Sequence, residues 1–83
     1  MKRYKEVSLQ EALETRIKDR TKEKLFKLAK KINNDEKIIV KIRHGGKFDG
    51  CHCYIIEHNE VVSYYHDWNC ECNFKKLLTK YDV

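Results

Sequence analysis

Two apolar stripes near the start of the chain are out of phase, and no single helix can carry both. Leu9, Ala12, Leu13 and Ile17 recur at helical spacing, as do Leu25, Leu28, Ala29 and Ile32. At roughly 100° per residue, one continuous helix sets Leu9 and Leu13 nearly opposite Leu25 and Ile32. A core on one side of that helix buries only one of the stripes. Between them, "KDRTKEK" (18–24) holds no apolar residue. The chain therefore reads as two helices, about 9–18 and 22–33. Ser8 and Glu11 form a capping box for the first, each satisfying a free N–H of the other's end. Asp19 or Thr21 is expected to cap the second, and "NND" at 33–35 ends it.

The period then changes from helical to alternating. In "EKIIVKIRH" (36–44), Ile38, Val40 and Ile42 share one strand face, and Ile39, Lys41 and Arg43 share the other. "HGGKFDG" (44–50) supplies glycines for a tight connection. "CHCYIIE" and "VVSYYH" read as two further strands joined at "EHNE" as a hairpin. With Ile56 facing Val61, simple alternation sets Cys53 opposite Tyr64 and Cys51 opposite His66. In the C-terminal "NFKKLLTKY", Phe74, Leu77, Leu78 and Tyr81 share a helix face away from Lys75, Lys76 and Lys80. The expected fold is α+β in the order α-α-β-β-β-α, a three-stranded antiparallel meander packed against helices.

Bulk properties bound the function. Eighty-three residues make one domain, 1–83, with a thin margin of buried surface. No proline and three glycines leave no flexible linker, and no run of about 18 apolar residues offers a membrane span. The opening "MKRYKEVSLQ" lacks the apolar centre of a signal peptide, so the expected location is cytoplasmic, with reduced thiols. The net charge of +5 is unevenly placed. Residues 1–43 hold fourteen Lys/Arg against seven Asp/Glu, and residues 44–83 hold four against six. Such asymmetry suits contact with a polyanion or an acidic surface, although lysine-rich helices also serve solubility alone.

The segment "CHCYIIEHNEVVSYYHDWNCEC" (51–72) carries all four cysteines as two Cys-x-Cys pairs. The preferred reading treats them as small buried hydrophobes, with Cys51, Cys53 and Ile55 inward on the middle strand opposite Val62 and Tyr64. No metal or other cofactor is then required. The alternative is zinc held by Cys51, Cys53, Cys70 and Cys72, or with His52 or His66 substituting. Its obstacle is geometric. Cysteines two apart on a strand have stems roughly 6.6 Å apart, and a helix starting near Asn69 points Cys70 and Cys72 roughly 200° apart. Both ligate only if "WNCECN" is a turn. A second alternative is an enzyme in which Cys70, near a helix start, acts as a nucleophile with His66 and Asp67 upstream. "YYHDWN" before a helix is also similar to metal nucleases built on two strands and a helix. The helix that follows supplies no histidine or carboxylate at ligand spacing, so no catalytic residue is assigned.

Two residue groups suit binding. Lys22, Lys24, Lys27, Lys30 and Lys31 lie on or beside the outward face of the second helix, where they can neutralise phosphates without reading sequence. Tyr54 and Tyr65, on the strand face away from Tyr64, and Trp68 are expected to be exposed rings that grip a partner, stack on bases or are covered by a second copy in a homodimer.

"YKEVSLQEALE" (4–14), a strand-like lead running into a Ser-Leu-x-x-Ala-Leu helix, resembles the opening of short phage-encoded accessory proteins, as does the Lys-, Ile- and Asn-rich composition without proline. The resemblance covers about an eighth of the chain. It implies a compact non-enzymatic binder, one class of which, the anti-CRISPR inhibitors, occupies a host defence nuclease. Many such inhibitors that mimic nucleic acid are acidic, whereas this chain is basic. The expected function is therefore a binding protein that occupies a nucleic acid or nucleoprotein surface. The alternatives are a zinc-stabilised interaction domain and a small Cys/His-dependent enzyme.

Overall fold

In the computed structural model, which describes residues 7–43 and 50–83, the chain runs α1 (Leu9–Thr15), α2 (Asp19–Lys31), β1 (Lys37–Arg43), β2 (Cys51–Glu57), β3 (Glu60–Asp67) and α3 (Phe74–Lys80). The sheet is an antiparallel meander in the order β1-β2-β3. The α+β class and the element order are those expected. The turn residues 44–49 and the lead at 4–6 lie outside the described residues, and with them His44 and Phe48.

Ser8 caps α1 by accepting the Glu11 N–H at 3.2 Å. The cap expected for α2 is not formed. Asp19 lies inside the first turn, where its charge complements the helix dipole, and Lys18 occupies the cap position without a side-chain bond. The two stripes do pack on one core. Ala12 of α1 and Leu25, Leu28, Ala29 and Ile32 of α2 are buried against Val40, Tyr54 and Ile56 of the sheet. The α3 stripe of Phe74, Leu77, Leu78 and Tyr81 packs against the same core. All three helices thus serve one face of the sheet. Among the described residues no helix is long and apolar enough to cross a membrane.

The β2–β3 register departs from simple alternation. Ile56 pairs with Val61 as expected, but Ile55 pairs with Ser63, so Val62 is an extra residue. This bulge shifts every later pair by one. Tyr54 faces Tyr64, His52 faces His66, Cys53 faces Tyr65 and Cys51 faces Asp67. The core-facing residues of β2 are therefore His52, Tyr54 and Ile56. Cys51, Cys53 and Ile55 lie on the opposite face, which corrects the inward placement expected for them.

The hairpin turn is His58-Asn59, both with positive φ (54° and 62°), the pairing that matches the twist of the flanking strands. Asn59 also closes α2. Its Nδ2 donates to Ala29 O at 3.1 Å and to Ile32 O at 2.6 Å, satisfying carbonyls that the helix end leaves free. Asn59→Ala removes both bonds and leaves a β-carbon residue at positive φ without a local bond in return. Its expected cost is about 2 kcal/mol, read as a shift in urea midpoint at unchanged slope. Asn59→Gly, which relieves the backbone but not the lost bonds, should fall between it and the parent.

Candidate functional site

The last strand and last helix sit on different sides of the sheet, and the connection between them makes the site. β3 is one edge of the sheet and β1 is the other. From Asp67 at the end of β3, residues 68–73 pass across the cysteine-bearing face of β2 to the free edge of β1. There Asn73 docks like a short strand. Its N–H donates to Lys41 O at 3.1 Å, its Oδ1 accepts the Lys41 N–H at 2.6 Å, and its Nδ2 donates to Ile39 O at 2.9 Å. The chain then turns onto the helical side as α3. No helix begins near Asn69: 68–73 is a strap across one end of the sheet.

The strap covers the first turn of β2. That cover is why Cys51 and Cys53 are buried although they face away from the core. The expectation of buried cysteines holds, for a different reason. The strap also delivers the other two sulfurs. Cys51 and Cys70 Sγ meet in disulfide contact, their Cα atoms 6.0 Å apart. Cys72 Sγ stands 2.8 Å from the same Cys51 Sγ. Cys53 Sγ, Cys70 Sγ and a carboxylate oxygen of Asp67 lie within 4.8 Å of one another. Two sulfurs from β2 and two from the strap thus form a run of neighbours, Cys72 beside Cys51, Cys51 beside Cys70 and Cys70 near Cys53.

The surroundings are polar and specific. Lys41 pairs with Cys53 and Arg43 with Cys51 across the β1–β2 ladder, placing two cations on the cysteine face. Lys41 Nζ lies 3.9 Å from Asp67 Oδ2, and the Asn69 N–H donates to Asp67 Oδ1 at 3.1 Å. Burial pushes the Cys53 thiol above its ordinary range, partly offset by a hydrogen bond with Tyr65 and by the Lys41 charge. Desolvation, with the Cys53 charge beside it, likewise raises the Tyr65 phenol. A buried thiol so placed stays protonated near neutral pH unless a cation reaches it.

Beyond this cluster, on the helical side, His52 is buried and its Nδ1 lies 3.1 Å from Tyr64 Oη. The His66 ring stands edge-on to His52 at 5.6 Å and to Trp68 at 4.3 Å. Gly50, at φ 136°, admits this arrangement. A Cβ there would lie 2.7 Å from Asp67 O and 2.9 Å from the His66 ring. His52 and His66 face away from the sulfurs, so neither substitutes for a cysteine there. His66 pairs with His52 on the core side of the sheet, whereas Cys70 meets Cys51 on the other face.

The binding residues expected from sequence separate in the same way. Lys24, Lys27, Lys30 and Lys31 are exposed and Lys22 is half-buried, on the side of α2 away from the sheet. Tyr65 and Trp68 are each 38% exposed, but Tyr65 belongs to the cysteine face. Tyr54 is 0% exposed, a correction that follows from the facing of β2, where Tyr54 pairs with Val40 on the core side and its ring lies against the helices. The lysines and the rings do not form one surface. The exposed Lys75, Lys76 and Lys80 of α3 instead extend the lysine surface, because α3 packs beside α2 and Lys31 Nζ donates to Asp82 O at 3.2 Å. Splitting the charge by chain halves hid this addition.

Comparison of the chain with protein-family models, with curated proteins and with solved structures gives no match in any of the three.

Proposed function

We propose that the protein is a non-enzymatic binding module that occupies the phosphate backbone of a nucleic acid, bare or within a nucleoprotein, through the α2–α3 lysine surface. The observation that supports this reading is the charge of α2 and its lead. Residues 18–31 carry seven Lys/Arg against two Asp/Glu, and among the described residues no α2 lysine forms an ion pair with a carboxylate side chain. A stability role for these charges is thereby weakened, since helix-surface lysines that stabilise usually do so through paired acids. Unpaired lysines presented by a rigid helix give salt-dependent, sequence-independent phosphate contact. Arginine, asparagine and glutamine, the usual readers of base edges, are nearly missing from this surface, Arg20 excepted. The resemblance to phage accessory proteins adds a partner class to this proposal, the nucleic acid within a host defence nuclease.

Affinity for a duplex measured against salt tests the reading. The triple variant Lys27→Glu, Lys30→Glu, Lys31→Glu should lose binding by at least tenfold, and its log–log salt slope should fall by about three. The variant should stay folded, at a cost of about 1–2 kcal/mol from two acids in the last turn of α2 and the lost Lys31–Asp82 bond. A salt-independent affinity, or an unchanged slope in the triple variant, rejects phosphate contact by α2.

A further inference from the structure

We propose that Cys51, Cys53, Cys70 and Cys72 hold one zinc ion as four thiolates, fastening the strap 68–73 to the start of β2. This is independent of the nucleic-acid reading and rests on where the sulfurs lie. A sulfur in a disulfide has a single sulfur partner. A Cys51–Cys70 bond therefore accounts for two of the four cysteines and leaves Cys72 Sγ 2.8 Å from Cys51 Sγ. Unbonded heavy atoms come to rest at roughly 3.5–4.0 Å. Cys72 Sγ lies closer than that to Cys51 Sγ, and Cys53 Sγ lies within 4.8 Å of Cys70 Sγ, so each sulfur outside the Cys51–Cys70 contact abuts one of its two members. Zinc bound by four thiolates at about 2.3 Å sets neighbouring sulfurs roughly 3.8 Å apart. Cys53 and Cys70 Sγ, within 4.8 Å of each other, can stand at that spacing, and Cys72 Sγ reaches it by moving about 1 Å away from Cys51 Sγ.

The geometric obstacle read from sequence is removed by the strap. Cys51 and Cys53 stand apart on one strand face, but the other two sulfurs come from the strap above that face, Cys70 and Cys72 reaching Cys51 and Cys70 approaching Cys53. Neither pair needs a knuckle. The positions of the donors are fixed by the ladder on one side and by the Asn73 bonds to β1 on the other. Rigid elements of this kind hold ligands better than free loops.

The donor set selects the ion. Thiolates suit zinc or iron, whereas carboxylate-rich sites suit magnesium or calcium. Asp67 lies close enough to join, but its Oδ1 accepts the Asn69 N–H and its Oδ2 faces Lys41. It is thus a supporting acid beside the four sulfurs. Each thiol passes its proton to solvent as its sulfur takes the ion, leaving a centre of charge −2. Lys41 and Arg43 stand beside Cys53 and Cys51 on β1 to offset that charge. Tyr65, paired with Cys53 and hydrogen-bonded to it, supports one thiolate from outside. Four ligands close the coordination shell, so the centre is structural.

The test uses full-length protein kept reduced throughout purification. Elemental analysis should find one zinc per chain, and native mass measurement should show the ion with four protons displaced. Cobalt added to the stripped protein should give the visible bands of tetrahedral thiolate, displaced stoichiometrically by zinc. Cys53→Ser and Cys72→Ser, the two cysteines outside the Cys51–Cys70 contact, should each weaken zinc affinity by at least about a hundredfold, the upper end of what losing a mere supporting partner costs. If the pair is only a disulfide, those two variants keep the crosslink and the thermal midpoint of the parent. Iron in place of zinc, a metal-free reduced protein indifferent to zinc and cobalt, or a Cys51–Cys70 crosslink that survives with two free thiols each overturns the proposal. The metal measurements are made on the parent chain, so they decide the matter even where a variant fails to fold.

Discussion

Tyr54→Ala should leave no folded protein at 37 °C. Tyr54 is the largest of the fully buried side chains, at 0% exposure, and it joins all the layers of the core. Its ring pairs with Tyr64 at 5.2 Å between centroids, and its hydroxyl reaches Ala12 O at 3.5 Å. Truncating a buried aromatic to alanine costs about 3–5 kcal/mol through lost transfer energy and the cavity left behind. Native domains hold about 5–15 kcal/mol in all, and a chain of 83 residues belongs near the lower end. Tyr54→Phe separates packing from the polar contact. At 3.5 Å the hydroxyl bond is long, so its loss should cost about 1 kcal/mol or less. Urea unfolding of both variants checks this. A Tyr54→Ala midpoint within about 0.5 M of the parent would show the ring exposed in solution. In that case Tyr54 returns to the binding surface that its residue type suggested.

The misplacement of Tyr54 shows how far this sequence can be read. The helices were legible because burial demands a stripe, and Leu25, Leu28, Ala29 and Ile32 keep strict spacing. The break between α1 and α2 was legible for the same reason, since two out-of-phase stripes forbid one helix. Face assignment in β3 depended on register, and that register depended on Val62. A bulge residue has no signature when it is one valine in "EVVSYY", yet skipping it inverts the facing of every later pair. Tyr64 and Tyr65 exchanged sides on that one residue, whereas the facing of β2 follows from Ile38 and Val40, which pair with Ile56 and Tyr54. The cysteine site was half legible. The two Cys-x-Cys pairs announced soft donors, and "WNCECN" as a turn was recognised as the condition for joint ligation. What the spacing could not convey was the route of residues 68–73 over β2, because that route is set by Asn73 bonding to a strand some thirty residues earlier. Hydrogen bonds between distant backbone segments leave no periodicity to find. The lysine surface was legible on α2 alone, and its extension onto α3 is again a matter of tertiary neighbours.

Asn73→Ala tests that route directly, and it should have the largest effect of any exposed or half-buried polar substitution in the chain. The side chain supplies two of the three bonds that hold the strap to β1. Its removal strands the Lys41 N–H, which is partly buried, and the Ile39 carbonyl. Each lost bond is worth about 1 kcal/mol and each stranded group up to about 3. A total of about 2–4 kcal/mol follows, a fall of roughly 10–30 °C in a domain of this size. The damage should also be directional. Cys70 and Cys72 ride on the strap, whereas Cys51 and Cys53 are held by the ladder. Loosening the strap therefore frees Cys70 and Cys72 and also uncovers Cys51 and Cys53 beneath it, while the helical side of the sheet stays closed. Timed alkylation of the reduced, metal-stripped protein, mapped by mass spectrometry, should find all four thiols modified at least tenfold faster in the variant, with hydrogen exchange in α2 little changed. Asn73→Asp keeps the acceptor for Lys41 but sets a carboxylate against the Ile39 carbonyl, so it should fall between the two. Equal acceleration of hydrogen exchange in α2 would mean that Asn73 stabilises the whole domain and not the crossing. A thermal midpoint within 2 °C of the parent would mean that the strap is fastened elsewhere, with the sulfurs themselves the first place to look.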